Sequence, residues 1–156
     1  GIGAIVLAHL VFVGMRTLLA CTAFVLVLTP FGLFATWWAP LVTILVQVLV
    51  IGSFAAPVYA YSAGLDNEWA FNLLFRLGMI PMFLFSGAFF PVANLAAPLE
   101  LLAKLTPLWH GVDLTRMVAL GTLDAGAVVL HVVYLLALTV LGAWLAVRRL
   151  RTRMVS

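Results

Sequence analysis

Apolar residues run along this chain in unbroken blocks rather than in alternation with polar ones. No Asp, Glu, Lys or Arg occurs between Arg16 and Asp66, and two further uncharged runs, Leu77–Leu99 and Ala125–Val147, are each bracketed by charges. A bilayer core about 30 Å thick takes about 20 helical residues to cross. The first run therefore holds two spans and each of the others one. The expected spans are about 14–36, 41–63, 71–90 and 125–147. Continuous apolar runs do not suit strands with one wet face, and lipid offers no partner for open backbone groups. The expected fold class is all-α: a polytopic membrane protein of four transmembrane helices in one domain, residues 1–156. Residues Gly1–Gly14 are too short to cross unaided and read as the lower part, or interfacial lead-in, of the first span.

Composition agrees with this pattern. Of 156 residues, 66% are hydrophobic and 8% charged, against roughly 25% charged in a soluble domain. The lone Cys21 offers neither a disulfide nor a thiolate cluster within one chain. Arg148, Arg149, Arg151 and Arg153 follow the last span directly, so the positive-inside rule puts the carboxy terminus in the cytoplasm. Counting back, Gly64–Arg76 is cytoplasmic, Pro91–Asp124 external, and Arg16 at the inner face. Trp37 and Trp38 then fall at one interface, Trp69 and Trp144 near the other. The net charge of +3 reflects this topology, and nucleic acid is not an expected partner.

Small residues Gly52, Ala56, Ala60 and Gly64 recur at steps of four on the second span, a strip suited to close helix approach, either inside the subunit or at a dimer seam. Asp66 or Asn67 is placed to cap the third span. His9, the one polar side chain before Arg16 apart from the backbone, reads as an interface residue.

The external segment carries the candidate chemistry. Pro91, Pro98 and Pro107 divide it into pieces too short to cross, so two short helices are expected, about 99–105 and 109–120, lying in the interface or re-entering the membrane. In the first, Glu100 and Lys104 are spaced for an i,i+4 ion pair. In the second, His110, Asp113 and Arg116 recur at steps of three on one face. Ionisable groups near lipid are costly, so they pair with one another or mark a pathway. Three roles stay open for these residues: a structural ion-pair network, contact with a transported substrate, or a proton or metal site, which one histidine and one carboxylate leave incomplete. Neither a catalytic nor a metal site is expected. A GxSxG element is absent, so Ser86 with His110 makes a poor hydrolase. A GxxxxGK[ST] phosphate loop is also absent, so the chain is not expected to hydrolyse ATP itself.

In Phe85-Ser86-Gly87, Phe89-Phe90-Pro91, Pro107-Leu108, His110, Asp113, Arg116 and Gly121, in that order and spacing, the chain resembles the membrane subunits of type-2 ABC exporters, including nodulation-type lipo-oligosaccharide and daunorubicin-resistance-type permeases. The resemblance implies a six-span permease of which this chain matches spans three to six, with re-entrant helices before the last. The sequence is then expected to be a fragment, short of two spans and a coupling helix. Where the family has leucine-proline after the FFP element, this chain has Asn94-Leu95-Ala96. The implied activity is ATP-driven export, across the plasma (inner) membrane, of amphipathic cargo such as a lipid-linked saccharide, a glycolipid or a hydrophobic drug. The implied partners are an ABC ATPase, a second permease subunit in a homodimer or heterodimer, and membrane lipid; ATP and magnesium belong to the ATPase, with no cofactor on this chain. Ser86, Gly87, Phe89, Phe90, Pro91, Glu100, Lys104, His110, Asp113 and Arg116 are the candidate transport or gating residues. The alternatives are a proton-coupled secondary carrier using His110 or Asp113, and an inactive remnant of a permease.

Overall fold

The computed structural model describes residues 1–87 and 92–155. Its long helices are α1 (Ile2–Leu28), α2 (Ala39–Ser62) and α7 (Ala125–Val155). Between the last two come α3 (Glu68–Leu74), α4 (Ile80–Leu84), α5 (Ala97–Leu105) and α6 (Pro107–Leu120). Among the described residues no strand occurs, and three helices are long and apolar enough to cross a membrane: Ile2–Phe31, Ala39–Ser62 and Ala125–Val155. The remaining expected span, 71–90, falls on α3, a π-helical turn (Phe75–Met79) and α4, and its end lies outside the described residues. Pro81 explains the turn: it has no N–H to donate one turn back, and a wider i→i+5 turn, in which Ile80 N–H donates to the Phe75 carbonyl, absorbs the mismatch.

Helix α2 is the centre of the bundle. It is covered by α1, which runs antiparallel to it, and by α7, which runs parallel. The register of α2 on α7 is set by the small-residue strip: Gly52 faces Thr139, Ala56 faces Gly142, Ala60 packs with Ala146, and Gly64 lies under the Arg149 guanidinium. Of the two uses open to that strip, the structure takes packing within the subunit. With no side chain at Gly142, the α7 backbone approaches α2 closely; a Cβ there would stand 2.4 Å from the Pro57 nitrogen and 2.6 Å from the Ala56 carbonyl carbon. Pro57 has no amide hydrogen, so nothing is lost where α7 presses on it. At the far end of the strip Arg149 Nη1 donates to the Ala60 carbonyl at 3.1 Å, and Arg153 pairs with Asp66, tying the α2–α3 turn to the tail of α7.

The expected first span opens near Gly14, whereas α1 starts at Ile2. Residues 1–15 carry no charge, so nothing favours a break, and Val6 is buried against Ala60 and Ala146 while His9 stacks on Tyr59 at 4.3 Å. The helix therefore carries Arg16 to its own middle rather than leaving it at an end. Asn67 caps α3, its Oδ1 accepting from the Ala70 amide at 3.4 Å. Glu68 follows in the first turn, where the helix dipole favours a carboxylate.

Candidate functional site

Helix α6 is tied into the outer half of the bundle by residues its sequence supplies in order. Thr106 caps it, accepting from the Trp109 amide at 3.4 Å, and Pro107 fills the first-turn position where a missing N–H costs nothing. Leu114, Met117 and Val118 then join Ala39, Val46 and Val50 of α2 and Leu135 of α7 in one buried cluster. The helix runs antiparallel to α2. Gly111 lies against the Val50 side chain, Gln47 Nε2 donates to Thr115 Oγ1 at 2.9 Å, and the Ala35 amide donates to the Ala119 carbonyl at 2.8 Å.

On the other side of α6 three ionisable side chains meet. His110 Nδ1 and His131 Nδ1 are 2.7 Å apart, and His131 Nε2 is 2.8 Å from Asp113 Oδ2. His110 is 5% exposed and His131 1%, while the Asp113 side chain, at 34%, is the open end of the chain of bonds. The geometry dictates tautomers. An ionised carboxylate only accepts, so His131 donates through Nε2–H; a neutral His131 then offers a lone pair at Nδ1, which His110 meets with its own Nδ1–H. One proton is shared between two nitrogens that cannot both carry one at that separation. Tyr134 stacks on His110 at 3.9 Å and Trp109 meets both imidazoles edge-on, closing the pair from the side. Chemically, the arrangement can clamp α6 to α7 and hold or pass a single proton. Among the described residues no group of three or more His, Cys, Asp or Glu is placed to hold a metal ion.

Of the residues the sequence singles out, His110 and Asp113 are brought together, but through His131 rather than directly. Arg116 is not part of that group: three residues on, it has turned outward, and its Nη2 donates to the Gly87 carbonyl at 2.8 Å. Gly87 has φ +91°, a left-handed conformation that suits glycine, and this aims its carbonyl at α6. Ser86 beside it is buried and donates to the Phe83 carbonyl at 2.9 Å. Glu100 and Lys104 form the i,i+4 pair, Nζ to Oε1 2.6 Å, and the ammonium also lies 5.9 Å from the Trp109 ring centre. Phe89, Phe90 and Pro91 lie outside the described residues. The residue missed by sequence reasoning is His131. Its signal is there to be read, an ionisable side chain six positions into an apolar run, where burial inside a bundle is the rule.

The α5–α6 corner is held by a further bond: the Tyr134 hydroxyl donates to the Leu105 carbonyl. Tyr134→Phe keeps the ring on His110 and removes that donor. The expected cost is about 1 kcal/mol, seen as a small drop in melting temperature with faster proteolysis between α5 and α6. An unchanged cleavage rate would show that the corner is held elsewhere.

The profile of the ABC-2 type transporter family matches residues 2–120. A nodulation protein J of Sinorhizobium fredii is 35% identical over 158 residues, covering 99% of this chain and 58% of that protein. Another, of Bradyrhizobium diazoefficiens, is 33% identical over 156 residues, covering 98% of this chain and 58% of its own length. The chain thus spans a little over half the length of these curated relatives. No solved structure gives a significant match.

Proposed function

Since the chain belongs to the ABC-2 type transporter family, and is a membrane transporter subunit rather than a catalytic one, we propose that it is the carboxy-terminal part of the permease of an ATP-driven exporter. The cargo class is amphipathic: a lipid-linked saccharide, a glycolipid or a hydrophobic drug. A separate ABC ATPase binds ATP and magnesium and drives the cycle, and a second permease subunit, identical or related, completes the path. The membrane is the plasma (inner) membrane, with the arginine-rich end of α7 in the cytoplasm. The segment Glu68–Leu84 belongs to the fourth crossing, and α5 and α6 form a re-entrant hairpin on the outer side.

The observation that carries this reading is the course of α6. It begins beside the middle of α2, with Gly111 against Val50, and ends at the α1–α2 turn, with Ala119 bonded to Ala35. A helix that starts at that depth and leads directly into α7 suits a hairpin that enters and leaves by one face, its tip tied to α7 by the Tyr134 hydroxyl on the Leu105 carbonyl. The histidine pair is then the catch that holds the hairpin on α7, and opening it would open the exit.

Affinity purification of the intact permease from its native membranes tests the ATPase partner. An ATPase subunit with a phosphate loop should copurify in roughly equal amount, and its hydrolysis should fall on detergent dissociation of the pair. Permease recovered repeatedly without such a subunit would contradict the reading. A proton-coupled carrier is the second reading, favoured by the one shared proton of the His110–His131–Asp113 chain.

A further inference from the structure

His110 and His131 meet through like nitrogens, and this limits how many protons the pair can hold. With the two Nδ1 atoms 2.7 Å apart, one proton lies between them and a second has no room. His131 Nε2 donates its own proton to Asp113 Oδ2 at 2.8 Å. The site left on the two rings is His110 Nε2, so the closed contact can accept one further proton and no more. Imidazoles released to water titrate at about 6.5 each. Well below that pH both are cations, and opening the contact then takes up at least one proton. Acid therefore favours the open form.

The groups around the pair do not reverse that sign. From α6, the Asp113 carboxylate favours the first added proton but makes no room for the second, and Arg116 is turned to the Gly87 carbonyl. From α7, the Tyr134 ring stacks on His110 while its hydroxyl donates to the Leu105 carbonyl, and Asp124 is engaged with the Ala127 amide. From α5, Lys104 presents its backbone carbonyl to His110. Its ammonium, paired with Glu100, lies 5.9 Å from the centre of the Trp109 ring, which meets both imidazoles edge-on. Helix α2 carries no Asp, Glu, Lys, Arg or His. The second half of α6 is held separately, by Leu114, Met117 and Val118 in the apolar cluster with α2. Opening thus frees the first half of α6 and the α5 helix joined to it.

We propose that the His110–His131 contact is an acid-released latch, which lets the α5–α6 hairpin part from α7 when both imidazoles are protonated. The latch deepens the exporter reading by giving the exit a regulator, and rests on that reading for the outer side as the source of the protons.

The test uses the intact permease in phosphatidylcholine nanodiscs, in a background without other cysteines, with nitroxide labels on Leu102→Cys of α5 and Val129→Cys of α7. Label-to-label distances are recorded by double electron–electron resonance from about pH 7.5 to about pH 5, a range that brackets free imidazole. A population at longer distance should grow below about pH 6, its ratio to the closed one rising toward about tenfold per pH unit, and should vanish on return to neutral pH. Labels on Leu45→Cys and Val140→Cys, on α2 and α7, should keep one distance throughout. His131→Leu should show the longer distance at every pH. His110→Gln, whose amide can face a neutral or a charged His131, should lose the pH response. A wild-type distribution that does not change with pH overturns the proposal. So does a response that survives in His110→Gln, or a change in the α2–α7 pair, which would mean general acid unfolding. If His131→Leu does not fold, the wild-type titration and His110→Gln decide. None of these readouts needs ATP or the ATPase, so a failed copurification leaves the latch standing, and a silent titration leaves the exporter reading standing.

Discussion

Gly142→Ala is expected to destabilise the bundle more than any other single methyl added to it. The new Cβ would lie 2.4 Å from the Pro57 nitrogen and 2.6 Å from the Ala56 carbonyl carbon, backbone atoms that no rotamer change can move. Helix α7 would have to shift away from α2 along the seam that also holds Thr139, Ala146 and Arg149 in register. Overpacking of this kind costs about 1–3 kcal/mol and at times more, and Gly142→Val should prevent stable folding. Two other glycines calibrate the effect. At Gly111 the added Cβ meets the Val50 side chain, whose methyls can give by small movements, so a smaller loss is expected; at Gly14 nothing lies within 4 Å, and alanine should be neutral or slightly favourable through helix propensity. Melting temperatures of the three alanine variants in one detergent should therefore fall in the order Gly14, Gly111, Gly142, the last lowest. A Gly142→Ala protein as stable as the wild type would mean that α2 and α7 do not pack in this register.

His131→Leu is the second large effect. It removes the middle of the His110–His131–Asp113 chain, leaving the His110 Nδ1–H buried without an acceptor and the Asp113 carboxylate without its donor. The orphaned His110 donor, which is buried, costs about 1–3 kcal/mol; the Asp113 carboxylate, a third exposed, finds water instead. The loss should be non-additive. Once His131 is gone, His110→Leu should cost little more, and a double-mutant cycle should give a coupling energy of about 0.5–3 kcal/mol, as for groups in one network. Export should fall with α6 unclamped even where the protein still assembles. A coupling energy near zero would show that the two imidazoles do not depend on each other.

Much of the architecture is legible in the sequence because lipid imposes it. Uncharged runs set where long helices lie, and prolines 98 and 107 fix α5 and α6 to within two residues of their expected bounds. The Glu100–Lys104 pair and the Asn67 cap follow from spacing alone, since both are contacts within a single helix turn. What depends on packing between distant segments is not legible in this way. Steps of three put His110, Asp113 and Arg116 near one another on α6, but the face drifts as it climbs, and the partner that selects two of the three comes from α7, 18 residues beyond Asp113. The strip on α2 announces close approach without naming its partner; Gly142 and Ala146, also four apart, provide the match on α7. The extent of α1 around Arg16 depends on packing too. A charge ordinarily marks the end of a span, and only the packing of Val6 and His9 below it shows that the helix continues past.

The transport cycle itself is the most direct test. Inside-out vesicles carrying the intact permease and its ATPase would be loaded with a fluorescent single-chain amphiphile on the outer, cytoplasm-equivalent side, and uptake followed with ATP, with a non-hydrolysable analogue, and with a protonophore. Uptake should require ATP hydrolysis and survive collapse of the proton gradient. Uptake that persists without ATP and vanishes with the protonophore would contradict it, and would make the histidine chain between α6 and α7 the coupling site of a proton-driven carrier.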